Sequence, residues 1–236
     1  MCKKMKICCI GDIHGTGKFL SCYNDILLRD NDCEKIIVFG DHFDPYKYIS
    51  IEECIEKYQE FIKISKEDSR IISLLGNHDL SYYVIGLDKT SRTSKWNARK
   101  ICKEIIPNLK NSFLCYRIRD YLFSHAGVSQ TWFDGLSSEN QQRILNNYKG
   151  WSESELTSIV SFYPYDDSHY GDNPHQGCTW IRPKALIENP LGQFNQVVAH
   201  TQIKEITKVV MANQKDLWLI DNKGKPFYLT LNIPDK

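Results

Sequence analysis

Short apolar runs along the chain end abruptly in small polar pairs. Lys6–Ile10 runs into Gly11-Asp12, Lys35–Phe39 into Gly40-Asp41, Ile71–Leu75 into Gly76-Asn77, Tyr121–Phe123 into Ser124-His125, and Gln196–Ala199 into His200. Continuous apolar runs of this length predict strands buried on both faces of a sheet. Between the first three lie stretches of helical period. Phe19–Leu28 is apolar at positions 19, 20, 23, 26 and 27, and Ile51–Ile64 at 51, 55, 58, 61, 62 and 64. Asn97–Ile106 and Glu139–Tyr148 are further helix candidates. Strand, loop and helix repeated in this order predict an α/β layered fold. The C-terminal end differs. Glu205–Met211, Leu217–Asp221 and Phe227–Ile233 are β-rich and separated by turn residues. They predict antiparallel strands closing a second sheet. Phe162–Gln176 has no period and reads as a long loop, which in a compact domain is more often functional than idle. With no repeat, low-complexity tract or linker, residues 1–236 read as one domain.

Composition narrows the classes. Hydrophobic residues make up 42% and charged residues 25% of the chain, which excludes a largely disordered or fibrous protein. Thirty basic against 29 acidic residues leave a net charge of +1. That balance offers no long-range field to hold nucleic acid or an anionic membrane. Nine cysteines are an odd number, and no two are spaced as a CxxC metal or redox pair. They read as reduced, buried small hydrophobes. The N-terminal apolar stretch is too short for a secretory signal, and no run approaches a membrane span. The expectation is a cytoplasmic protein.

The strand ends carry the chemistry. Asp12 and His14, Asp41 and Asp44, Asn77 and His78, His125, and His200 all follow apolar runs. Loops at the carboxyl ends of parallel strands converge, so these residues would share one polar pocket. Buried polar groups need partners. A pair of metal ions is the partner best able to satisfy two carboxylates and three imidazoles together.

The strings GDIHG at 11–15, GDHFD at 40–44, GNHD at 76–79, SHAG at 124–127 and AHTQ at 199–202 resemble, in order, those of the calcineurin-like metallophosphoesterases. Trp180-Ile181-Arg182 and Leu219-Ile220-Asp221 resemble segments of the branch holding phosphoprotein Ser/Thr phosphatases, bacteriophage-type ones among them, and symmetrical diadenosine tetraphosphatases. The resemblance implies a four-layer α/β/β/α fold of two packed mixed β-sheets flanked by helices. It implies a dinuclear-metal hydrolase of phosphate esters in which a metal-bridging hydroxide attacks phosphorus in line. Asp12, His14 and Asp41 would hold one metal, and Asp41, Asn77, His125 and His200 the other. The ions would be Mn²⁺ first, with Fe or Zn as alternatives. His78 would protonate the leaving oxygen, with Asp44 orienting it, or both would only support the metals. Arg182 and Asn77 would contact the substrate phosphate, although Arg182 alone also fits a surface salt bridge. The substrate would be a phosphorylated small molecule, nucleotide or phosphoprotein. Phosphomonoester or phosphoprotein hydrolysis ranks first and nucleotide pyrophosphate hydrolysis second. A non-catalytic metal-binding scaffold is disfavoured because every expected ligand is present.

Three positions depart from the pattern. Pro45-Tyr46 stands where these phosphatases commonly carry Arg-Gly, so one phosphate clamp is missing. Gln202 replaces a histidine found in many phosphodiesterases of the superfamily, which favours the phosphatase-like branch. Asp79 replaces a more frequent glutamate and is expected to hydrogen-bond locally.

Overall fold

A computed structural model of the protein describes residues 4–83, 95–109, 111–160, 171–222 and 225–235. Two sheets face each other. The first has the order β3-β2-β1-β9, from β1 (Lys4–Ile10), β2 (Lys35–Val38), β3 (Ile71–Ser73) and β9 (Tyr228–Pro234). The second has the order β4-β5-β6-β8-β7, from β4 (Cys115–Ile118), β5 (Tyr121–Ser124), β6 (Asn195–Val198), β7 (Thr207–Val210) and β8 (Asp216–Leu219). Both are mixed. β1, β2 and β3 run parallel with β9 antiparallel at the edge. β5, β6 and β8 run parallel with β4 and β7 antiparallel outside them.

Strand period sets the layers. Ile7 and Cys9 of β1 join Ile37, Phe123, Val197, Leu229, Leu231 and Ile233 in the core between the sheets. Their neighbours Cys8 and Ile10 point the other way and pack on helices, because successive strand side chains alternate. Those helices are α1 (Lys18–Arg29), through Phe19, Cys22 and Ile26, and α2 (Ile51–Glu67), through Cys54, Tyr58 and Phe61. Ser50 caps α2 by accepting the Glu53 N–H at 3.1 Å, with Glu52 and Glu53 in the first turn complementing the helix dipole. On the far side α8 (Pro183–Glu188) packs Ala185 and Leu186 on Val198, Leu217 and Leu219. The result is helix, sheet, sheet, helix, as expected.

One element lands elsewhere. The sequence pattern places residues 227–233 with the second sheet, but β9 pairs with β1 of the first, from Lys4↔Pro234 to Ile10↔Tyr228. Its alternation, with Leu229, Leu231 and Ile233 inward, reports which face is buried and not which neighbour completes the ladder. Of the loop expected at 162–176, residues 162–170 lie outside the described residues, and 171–176 form turns. All eight described cysteines are free and all but Cys102 are buried. Among the described residues no helix is long and apolar enough to cross a membrane.

Candidate metal centre

The pocket is built where β1, β2, β3, β5 and β6 end. Chain turns there are sharp. His14 (φ 49°), Asp41 (φ 51°), Asp44 (φ 60°) and His200 (φ 60°) take the left-handed region. They are four of seven such non-glycine residues among those described. The region costs roughly 1–3 kcal/mol and clusters at functional sites. Two glycines let the ends of β2 and β3 touch. A Cβ on Gly40 would meet Gly76 N at 2.4 Å, and one on Gly76 would meet Asp41 Oδ1 at 2.1 Å.

Donor atoms converge on two adjoining places. Asp12, His14 and Asp41 present ligand atoms all within 4.8 Å of one another. His14 Nε2 lies 3.8 Å from both Asp12 Oδ2 and Asp41 Oδ2. Its Nδ1 faces the Phe43 and Asp44 carbonyls at 3.1 and 3.0 Å. That contact puts the proton on Nδ1 and leaves the Nε2 lone pair toward the carboxylates. Beside this group, Asn77 Oδ1 lies 2.9 Å from both His125 Nε2 and His200 Nδ1. His125 Nε2 is also 3.4 Å from Asp41 Oδ2, and its Nδ1 donates to the Phe39 carbonyl at 2.7 Å. Asp41 therefore stands between the two groups.

These atoms fit cations. Asp12 Oδ2, His14 Nε2 and His200 Nε2 are buried without a hydrogen-bond partner. Stranded buried polar atoms are costly, and oxygen and imidazole donors together suit first-row divalent metals. Protonation follows the same need. Burial pulls His125 down, but the Asp41 and Asp12 carboxylates raise it to about 10. Burial and the neighbouring His125 push His200 well below its usual range. Burial raises Asp41, yet His125, His78 and His14 together hold it well below the carboxylate range. The chain itself thus draws positive charge to this point.

Asp79 anchors the loop that carries Asp41. Its Oδ2 accepts the Asp41 and Gly76 N–H groups at 2.8 and 3.0 Å, and its Oδ1 the His42 N–H at 2.8 Å. The expected local hydrogen-bonding role is what it has.

A second device sits beside His14. The His78 and His14 ring centroids are 5.3 Å apart. His78 N–H donates to Asp41 Oδ1 at 2.8 Å, and His78 Nδ1 lies 2.7 Å from Asp44 Oδ2. Tyr82 Oη donates to the other Asp44 oxygen. Sequence reading missed Tyr82. Its signal was spacing, since His78 and Tyr82 are four residues apart on α3 (Asn77–Tyr83) and share a helix face. It also missed Lys18, buried at the start of α1 with Nζ 4.0 Å from Asp221 Oδ1. Burial and the nearby Asp12 push the Asp221 carboxyl up to about 7, against the pull of Lys18.

Arg182 is half-buried. Its guanidinium lies 5.9 Å from the Trp180 ring centre and donates to Thr201 Oγ1 at 3.2 Å. The Trp180 ring in turn lies 5.5 Å from that of His200. His42 does not join the site. It packs on Phe61 at 4.4 Å and Tyr58 at 5.1 Å, and burial pushes its pKa down to about 3.

Among solved structures the chain is similar to the cold-active protein-tyrosine phosphatase of a psychrophile, Shewanella sp. The TM-score is 0.61 at 18% identity, covering 96% of this chain and 75% of that one. It is also similar to a protein serine/threonine phosphatase from Saccharomyces cerevisiae, with a TM-score of 0.46, 13% identity, and 98% and 80% coverage. A metallophosphoesterase from Sphaerobacter thermophilus gives a TM-score of 0.44, 14% identity, and 98% and 84% coverage. At these identities the likenesses concern the fold. Comparison with curated protein sequences returns no match. The model of the calcineurin-like phosphoesterase family matches residues 5–201. With that match running through every strand end that lines the pocket, the chain belongs to the calcineurin-like phosphoesterase family and is a phosphoesterase.

Proposed function

We propose that the protein is a dinuclear-metal-dependent phosphomonoesterase acting on a small phosphate ester or a phosphoprotein. The observation that carries this reading is the His78–Asp44–Tyr82 array beside the paired donor groups. Divalent metals, Mn²⁺ first, held by Asp12, His14, Asp41, Asn77, His125 and His200, would supply an activated water and neutralise phosphoryl charge. Asp44, fixed by Tyr82, accepts from His78 Nδ1 and orients the ring. Nε2 of His78 is then the atom that hands a proton to the departing ester oxygen. Arg182 and the Asn77 amide steady the phosphoryl oxygens. Buried donor atoms and glycine turns keep the array rigid, which matters because misplacement of about 1 Å can cost about 100-fold in rate.

The test is a substrate panel on protein of measured metal content. Mn²⁺-supplemented wild type should hydrolyse p-nitrophenyl phosphate, and Asp41→Asn should abolish this. His78→Asn should keep its metals and lose about 10²–10⁴-fold in kcat, most on alkyl esters, whose leaving oxygens need the proton most. Loss of metal in that variant would assign His78 a structural task instead. Wild type that binds two metals yet is inert on phosphomonoesters, diesters and dinucleoside polyphosphates would end the proposal.

A further inference from the structure

Next to the metal donors lies a second set of buried charges that the proposed chemistry does not use. Lys18 opens α1, and its side chain is 0% exposed. Nothing local explains a lysine there. A cation at a helix N-terminus opposes the helix dipole, Gly17 gives α1 no side-chain cap, and the first turn carries no acidic residue. A buried ammonium is also costly unless it is paired. The reason for Lys18 therefore lies across the fold.

What it faces is the segment that follows β8. Lys18 Nζ lies 4.0 Å from Asp221 Oδ1, and the Asp221 side chain is 1% exposed. Lys18 Nζ, both Asp221 carboxylate oxygens and Asn222 Oδ1 are buried without a hydrogen-bond partner. Charge, not hydrogen bonding, relates the two groups. Gly11 admits this segment beside Asp12: a Cβ on Gly11 would meet the Ile220 carbonyl oxygen at 2.9 Å and Asp221 Cα at 3.4 Å. Asp221 thus has two opposed neighbours, the Asp12 carboxylate that repels it and the Lys18 ammonium that attracts it.

The arrangement bears on the cation. A carboxylate behind a metal donor adds to the pull on a divalent ion, and an ammonium behind it subtracts. Phosphate is an anion, so uncompensated negative charge at the centre would also oppose the substrate.

We propose that Asp221 and Lys18 are positioning residues of the metal centre: Asp221 strengthens the hold of Asp12, His14 and Asp41 on a divalent cation, and Lys18, its internal counter-ion, limits that hold. This rests on the reading that those three residues bind metal. Neither residue touches the reacting atoms; both act through Asp12.

The experiment is calorimetric titration of Mn²⁺ into metal-free wild type, Asp221→Asn, Lys18→Met and the double variant at pH 8, with urea unfolding in EDTA beside it. Asp221→Asn should raise the Mn²⁺ Kd about tenfold, the low end for a group standing behind a metal ligand. Lys18→Met should lower it about three- to tenfold, even though its metal-free form unfolds at lower urea. The double variant should return to within about threefold of wild type, because the pair contributes no net charge in either. A merely structural role would weaken metal binding and stability together in every variant. Lys18→Gln, whose amide can still donate to Asp221, reads the same loss of charge where Met does not fold. Single variants that do not shift Kd in opposite directions overturn the inference. Wild type that binds no Mn²⁺ ends the metal-centre reading and this one with it. If Mn²⁺ binds but no ester turns over, the phosphomonoesterase proposal fails, and the Kd values still decide this one.

Discussion

Asp79→Asn is the sharpest test of how the pocket is held. The native carboxylate accepts three backbone N–H groups, two on Oδ2 and one on Oδ1. The amide keeps an oxygen toward Asp41 and Gly76 but turns an NH₂ toward the His42 N–H, so a buried donor meets a donor. A stranded buried donor costs about 1–3 kcal/mol, and two bonds reduced from charge-assisted to neutral lose about 1 kcal/mol each. The expected loss is about 3–5 kcal/mol, a large part of the roughly 5–15 kcal/mol that holds a domain together. In urea, with a slope of about 2–3 kcal/mol/M, the midpoint should fall by about 1–2.5 M. Unfolding should be followed at pH 8, because burial and Asp41 push the Asp79 carboxyl up to about 7. EDTA should be present, so that metal binding does not mask the change. Mn²⁺ affinity should also drop, because the left-handed Asp41 backbone loses its anchor. A midpoint shift below about 0.3 M would refute the reasoning, since it would mean the three contacts do not restrain the loop.

Other variants separate space, charge and metal. Gly76→Ala should lose bound metal and at least part of its fold, because its Cβ would arrive 2.1 Å from Asp41 Oδ1; metal analysis and a thermal melt read both. Mn²⁺ at 100 times its Kd should raise wild-type Tm by about 5–10 °C, from about 2.7 kcal/mol of linkage, and Asp41→Asn should lose that rise in scanning fluorimetry. Asp30 reports on pH. Lys6 at 2.7 Å and Tyr228 Oη at 2.6 Å hold its carboxyl below the usual range. A depressed folded pKa contributes stability that is present above the unfolded value, about 3.9, and lost as pH falls through the folded one. Asp30→Asn should therefore cost about 1 kcal/mol near pH 7 and progressively less below about pH 4, read by urea midpoints across pH.

Local patterning wrote much of this molecule. Apolar runs stopping at Gly-Asp or Gly-Asn marked the strands and the polar residues at their ends. α1 and α2 followed from helical spacing, and the family from five short strings in order. These features are local because burial on two faces, a helix stripe and a turn each need only neighbouring residues. Tertiary structure decided what distant residues do to each other. β9 left the sheet its neighbours joined, because the bare edge of β1, about 220 residues earlier, offered it a ladder in register. Tyr46 settled on His14 and Lys18 came to face Asp221 across two hundred residues, with no periodicity to announce them, and the helical spacing that aligns Tyr82 with His78 does not show that both reach Asp44. The sequence by itself determined which residue types stand at each strand end. The fold alone decided that they meet in one buried place, where stranded carboxylates and imidazoles make a cation worth binding.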